Sequence, residues 1–235
     1  MECLFSPYIF DEKNSIRIDG NELKHIKALR LKNNENVLIT NGQGKTCLCE
    51  LFAMEKEFAD FLIIERYDNL NENPYTLSLA ISLLASRERF EFAIEKAVEL
   101  GVNQIIPVYS KFTQKIKFKR PRIEAKIIAA LKQSKRSVLP YLADLTKFGK
   151  LYKIAGDYDD VILFDESGAV SDGSNLGNNM LVVIGPEGGF ENEELKELEE
   201  LSNVKKWNLG KRRLRSETAA VNALALLNYF KTDNR

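Results

Sequence analysis

Apolar and polar positions follow a short, strand-like rhythm in the first part of the chain. Residues 15–18, 36–40, 46–52 and 58–67 are rich in β-branched and aromatic side chains with partial alternation, and they read as strands. NGQGK at 41–45 offers glycine for positive φ and reads as a turn between two of them. Residues 19–30 place Leu23, Ile26, Ala28 and Leu29 where a short helix would offer them to a core. Several short strands around one small helix predict a compact barrel. DNLNENP at 68–74 has the composition of a linker, with three Asn, two acids and a proline. The domain boundary is therefore placed there, giving a first domain at 1–70 and a second at 74–235.

Beyond the linker the period changes. Residues 75–84, 103–110, 161–166, 180–185 and 204–210 read as strands, the first four of them strongly apolar. Between them, 87–101 reads as a helix with Phe90, Ile94, Ala97 and Val98 on one stripe and Gly101 as its stop. Further helices are expected at 121–136, with a proline near its start, at 191–202 and at 216–231. Strands alternating with helices predict an α/β domain whose parallel sheet is covered on both faces. No internal repeat is visible.

Composition adds bounds. The 235 residues suffice for one large or two modest domains, and 44% hydrophobic with 29% charged residues excludes a disordered chain. No apolar run is long enough to cross a bilayer. The first residues carry acids where a signal peptide would carry bases, so a cytoplasmic location is expected. Cys3, Cys47 and Cys49 are too few and too oddly spaced for a disulfide framework or a zinc site, and they read as small buried hydrophobes. His25 is the only histidine, and it reads as a structural one rather than a catalyst.

Net charge is zero, but the charges are segregated. Residues 111–136 hold ten Lys or Arg against the single acid Glu124, and 205–215 hold six bases and no acid. Between them, 191–200 holds six Glu and one Lys, a solvated face. The two basic stretches would repel themselves unless they meet an anion such as a phosphate backbone.

Ligands of open α/β sheets bind beyond the carboxyl ends of the strands. Three such ends draw attention. One is Asp165-Glu166, followed by a Gly/Ser/Asn-rich segment expected to be a flexible loop. The second is GPEGG at 185–189, and the third runs from Leu209-Gly210 through basic residues to Ser216, a fair helix N-cap. Taken alone, GPEGG is a tight strand-to-helix turn and matches no dinucleotide or P-loop pattern. Its glycines do allow a ligand to approach the backbone closely.

Five segments in order, HIKALRLK (25–32), EKAVELGV (95–102), QSKRSVLP (133–140), IGPEGGF (184–190) and LGKRRLRSETAA (209–220), jointly resemble the RsmE family over nearly the whole chain. These are SPOUT-class enzymes that methylate N3 of a uridine in small-subunit ribosomal RNA. The resemblance implies a PUA-like β-barrel that grips RNA, followed by a trefoil-knotted α/β domain, an exception to unknotted connectivity. It implies a homodimer that uses S-adenosyl-L-methionine and acts on 16S rRNA, in free form or within the 30S subunit. It implies no metal and no membrane. This sequence departs from the family pattern at Ala129, usually glutamate, at Lys135, usually glycine, and at Lys211-Arg212-Arg213, usually Pro-Arg-aliphatic.

The resemblance assigns cofactor binding to Leu163, Phe164, Glu166, Ile184, Gly185, Pro186, Glu187, Gly188, Gly189, Leu209, Gly210, Leu214, Arg215, Thr218 and Ala219. Arg215 and Glu217 are the expected catalytic pair, one favouring the uridine anion and one able to accept a proton. Glu217 reads equally well as an acid stabilised at a helix N-terminus. Expected RNA contacts are Arg30, Lys117, Lys119, Arg120, Arg136, Arg212 and Arg213, and for Arg30 a salt bridge inside the barrel fits as well. Two other readings stay open, a SPOUT methyltransferase acting on another RNA such as transfer RNA and a catalytically silent RNA-binding relative. The PUA-like half and the 95–102 segment count against the first, and two intact glycine loops against the second.

Overall fold

The computed structural model describes residues 1–8, 14–114, 117–171 and 173–233, so Lys115 of the first basic stretch and Asp172 of the Gly/Ser/Asn segment lie outside the described residues. The chain divides into two compact units. One comprises Met1–Glu72 with Ile128–Leu139, and the other Asn73–Ile127 with Pro140–Arg235. Residues 128–139 thus join the first unit, although the linker at 68–74 precedes them in the sequence.

The first unit contains β1 (Cys3–Phe5), β2 (Ser15–Asp19), α1 (Gly20–Leu29), β3 (Asn36–Thr40), β4 (Lys45–Met54) and β5 (Phe58–Asp68). The strands form one sheet in the order β1-β3-β4-β5-β2, antiparallel except for the β1–β3 pair. Alternation puts Val37, Ile39, Cys47, Cys49, Leu51, Ala59 and Phe61 into one core, with Leu23 and Ile26 of α1 packed there too. Each large side chain buried this way contributes about 1.5–3 kcal/mol. Ala28, expected toward the core, is exposed because it falls on the outer face of α1. All three cysteines are buried with no disulfide among the described residues, and burial pushes the Cys3 thiol up to about 12. At three residues, β1 is too short to show a period in the sequence.

Residues 135–139 dock on the β3–β4 turn. Gly44 donates its N–H to Ser137 O at 2.9 Å, and Leu139 donates to Gly42 O at 2.8 Å. Gly42 has φ +72°, and an added Cβ would lie 2.9 Å from the Phe5 ring and 3.1 Å from Leu139 Cβ, so only glycine fits there. Arg136 lies inside this junction with its side chain 2% exposed, and its Nη2 reaches Glu72 Oε2 at 2.6 Å. Glu72 Oε1 accepts the backbone N–H groups of Ser137 and Val138, both at 2.9 Å. Arg136 is therefore not a phosphate contact, contrary to expectation, because its guanidinium is buried and spent on Glu72. The family-pattern departure at Lys135 is also explained in part. Lys135 has φ +56°, with its N–H on Lys132 O and that of Arg136 on Leu131 O. This is the Schellman ending of the preceding helix, where glycine is the unstrained residue.

The second unit contains β6 (Thr76–Ser82), α2 (Arg87–Glu99), β7 (Gln104–Tyr109), the start of α3 (Arg120–Ser134), β8 (Tyr141–Leu142), β9 (Thr146–Lys147), α4 (Leu151–Ala155), β10 (Asp160–Ala169), β11 (Asn179–Ile184), α5 (Asn192–Glu199), β12 (Val204–Trp207) and α6 (Ser216–Asp233). The sheet order is β12-β10-β11-β6-β7-β8, with β9 also on β7, and every pair is parallel. Val161, Leu163, Leu181 and Val183 share one core with Leu151, Phe190 and Leu198. The alternate residues Ile162, Met180, Val182, Leu77, Leu79 and Ile81 are buried too, so both faces are covered. Ser86 caps α2 by accepting the N–H of Arg89 at 3.3 Å, and Gly101, at φ +85°, follows its end.

One connection departs from expectation. β10 continues to Ala169 rather than ending at 166, and Phe164 and Ala169 both pair with Trp207. The chain between them bulges, and a Cβ added at Gly168 would collide with the Trp207 backbone. The return to β11 contains no helix among the described residues, although a parallel crossover ordinarily takes one. Lys231 Nζ donates to Leu176 O, Gly177 O and Asn178 Oδ1 at 2.8–3.3 Å, which holds the return segment.

Removing Glu72 as Glu72→Ala should cost about 3 kcal/mol or more in denaturant unfolding, because it strands a buried guanidinium. A loss below about 1 kcal/mol would contradict the role of this pair. Lys135→Gly should instead gain up to about 1 kcal/mol, since it relieves a left-handed backbone. A loss of stability in the same measurement would show that the lysine side chain outweighs the strain.

Candidate active site cleft

β12, β10 and β11 are neighbours running the same way, so the segments that follow them leave one edge of the sheet together. They enclose a cleft of about 780 Å³. Phe164, Asp165, Glu166 and Ser167 line it from β10, and Ile184 to Phe190 line it from β11. Asn208 to Gly210 and Arg212 to Ser216 line it after β12, together with Ala219 of α6.

Each loop is shaped locally. After β11, Gly189 has φ +73° and donates its N–H to Pro186 O at 2.9 Å. Glu187 turns back and accepts the N–H of Ala85 at 3.0 Å, so this carboxylate fastens the loop to the chain after β6. An added Cβ on Gly185 would crowd the Phe190 ring at 3.2 Å, and one on Gly188 would lie 3.1 Å from Phe112 Cβ. On Gly189 and Gly210 it would meet nothing within 4 Å, so backbone there is open to the cleft. After β12, Asn208 accepts the N–H of Gly210 at 3.0 Å and donates to Gly168 O, an Asx turn pinned to the β10 bulge. Gly210 takes φ +103°. α6 begins at Ser216, which is its first helical residue rather than its cap.

Charges of both signs meet at the mouth. Arg213 Nη2 donates to Glu187 O at 3.1 Å, and its Nε lies 3.4 Å from Glu166 Oε1. Lys206 Nζ is 2.8 Å from Glu199 and 3.8 Å from Asp165. Partial burial alone would raise the Asp165 carboxyl. The Ser167 hydroxyl and N–H, with the Lys206 charge, outweigh this and hold it below the usual range. Arg212 and Arg215 are exposed and make no ion pair among the described residues.

The fold therefore gathers most of the expected cofactor residues. Leu163 and Thr218 do not line the cleft. Leu163 points into the core as the alternation of β10 requires, and Thr218 is exposed on α6. Glu217 is also absent from the lining. Its side chain is 10% exposed and lies beside Arg89, with Nε to Oε1 at 3.6 Å. The expected contact between Glu217 and a substrate base is thus not what this geometry provides. Arg120 likewise departs from expectation, since its guanidinium holds Leu142 O, Ala143 O and Asp144 at 2.7–3.0 Å. Lys117, Lys119 and Arg30 are exposed, and Arg30 makes no ion pair among the described residues. Sequence reading missed Arg89, Ser167 and Asn208, which line the cleft. Arg89 sits in an ordinary first helical turn, and no local pattern marks it.

Comparison with known proteins agrees with this arrangement. Residues 71–228 match the family described as RNA methyltransferase domain, and 18–64 match the RNA methyltransferase PUA domain. The chain is 31% identical to ribosomal RNA small subunit methyltransferase E of Bacillus subtilis, over 93% of this chain and 91% of that protein. It is 33% identical to the Mesomycoplasma hyopneumoniae protein of the same name, over 89% and 92%. The crystal structure of the Neisseria gonorrhoeae ribosomal RNA small subunit methyltransferase E, bound to S-adenosyl methionine, superposes with a TM-score of 0.87 at 27% identity, covering 97% of each chain. With the motifs, the fold and the three-loop cleft in agreement, this chain belongs to the ribosomal RNA small subunit methyltransferase E family.

Proposed function

We propose that this protein transfers the methyl group of S-adenosyl-L-methionine to N3 of a specific uridine in 16S rRNA, presented within the 30S subunit. It works in the cytoplasm as a homodimer, with 1–70 as the PUA-like RNA-binding domain and 74–235 as the knotted methyltransferase domain. The observation that carries this reading is the cleft where three parallel strands end. Its volume of about 780 Å³ lies in the range of roughly 300–1,000 Å³ usual for small-molecule sites.

The residues present fit such a donor. Backbone at Gly189 and Gly210 is open to the cleft, and Phe164, Ile184, Leu209, Leu214 and Ala219 supply apolar wall for a purine. Segments 184–189 and 209–214 would hold the adenosine, with Glu166 at the opposite wall. When bound, the donor supplies an electrophilic methyl group on a sulfonium. Everything else falls to the protein and the RNA. The target base has to be unstacked, which looped or single-stranded RNA permits at low cost. Arg215 faces the cleft and is unpaired among the described residues, so its charge is available to stabilise the uridine anion that remains when N3 loses its proton. Arg30, Lys117, Lys119 and Arg212 are exposed cations suited to phosphate. Arg213 joins them only by releasing Glu166.

Labelled S-adenosyl-L-methionine, offered with 30S subunits, free 16S rRNA and transfer RNA from cells lacking the enzyme, should mark the small subunit or its RNA at N3 of one uridine. Label on transfer RNA alone, or none at all, would sink the reading. Arg215→Ala should lower kcat by on the order of a hundredfold with assembly preserved. Wild-type turnover in that variant would remove Arg215 from the mechanism.

A further inference from the structure

Arg89 enters the cleft from α2, which contributes none of the three loops. Its side chain is 38% exposed, and its Nε faces Oε1 of Glu217 on α6 at 3.6 Å. Glu217 is nine-tenths buried, and its Oε2 is wholly buried with no hydrogen-bond partner among the described residues. A buried carboxylate with an unmet oxygen is costly unless its charge is used. The one ion pair it makes among the described residues is with Arg89.

The other cations at the mouth differ from Arg89. Arg213 is engaged by Glu166 and the Glu187 carbonyl, and Lys206 by Glu199 and Asp165. Arg212 and Arg215 are exposed and make no ion pair among the described residues. Arg89 combines both properties. Its Nε side faces a buried counter-charge at 3.6 Å, while its Nη groups have no acceptor among the described residues. A planar guanidinium held at one edge offers its remaining donors as a preorganised fork for an oxyanion.

We infer that Arg89 is an anion-binding residue of the cleft, positioned by Glu217, and that it receives an anionic oxygen of a ligand. That oxygen belongs either to the carboxylate on the amino-acid tail of the methyl donor or to a phosphate of the RNA. The inference rests on the methyl-donor reading of the cleft. It gives Glu217 a positioning role behind the wall rather than a contact with the reacting base.

Binding measurements on the full-length protein separate the outcomes. Calorimetry would compare S-adenosyl-L-methionine with 5′-methylthioadenosine, which keeps the adenosine but lacks the amino-acid tail, on wild type, Arg89→Ala, Arg89→Lys and Glu217→Gln. Small-subunit KM would be read on the same four proteins, and melting temperatures would confirm that each is folded. If Arg89 takes the carboxylate, Arg89→Ala weakens S-adenosyl-L-methionine by roughly tenfold or more and leaves 5′-methylthioadenosine unchanged. If it takes phosphate, both small molecules bind as before and the KM for the small subunit rises by a similar factor. In either case Arg89→Lys recovers part of the loss, and Glu217→Gln weakens the same ligand by a smaller factor. Unchanged binding and KM in Arg89→Ala would overturn the inference, as would equal losses for both small molecules. Absence of S-adenosyl-L-methionine binding by the wild type would instead strike the functional reading, and this inference with it.

Discussion

Because β10 lies between β11 and β12 and all three run in parallel, the chain has to leave the sheet at one edge three times within a small area. Stretches of loop backbone beyond the last ladder hydrogen bonds are then open to a ligand, as at Gly189 and Gly210. The cleft follows from that constraint. So does the need for residues that tolerate unusual backbone, since three chains leaving neighbouring strands have little room to diverge. Gly168 packs against the Trp207 backbone, and the Asn208 side chain ties the third loop to the same bulge.

Polar side chains fix what the glycines leave free. Glu187 spends its carboxylate on the Ala85 N–H, so its place in GPEGG is structural even though the loop lines the cleft. Arg213 crosses between the first and second loops, and Asn208 fixes the start of the third. A site built this way has its shape set by backbone geometry and its electrostatics set by a few exposed or half-exposed arginines. That division suits a donor recognised through its adenosine by main-chain groups and an acceptor recognised through its charge. It also gives the first basic stretch a mixed role. Lys117 and Lys119 remain outward, whereas Arg120 and Arg136 are consumed internally by carbonyls and carboxylates.

Much of this was legible in the amino-acid order. Alternation located β2 to β5, the apolar runs located β6, β7, β10 and β11, and helical patterns located α2 and α6. These signals are local, because a strand or helix buries one face at a fixed period. The short β1, β8 and β9 and the single-turn α4 carry too few residues for any period to emerge. Glycine clusters after two strands marked two of the cleft's loops, since glycine is informative wherever backbone must turn sharply or be approached closely.

What the sequence determined by itself was therefore the longer elements, their order and, through five joint motifs, the family. Tertiary structure alone decided which charged residues face out. Arg136 and Arg215 look alike in sequence, each in a basic run beside a serine, yet one is buried on Glu72 and the other is open to the cleft. Glu217 looked like half of a catalytic pair and lies behind the wall, while the unmarked Arg89 lines it. The physical reason is range. Hydrophobic period and glycine geometry act between near neighbours in the chain, whereas the fate of a charge depends on a counter-charge that the fold brings from far away. Glu72 and Arg136 are 64 residues apart, so no local pattern could pair them.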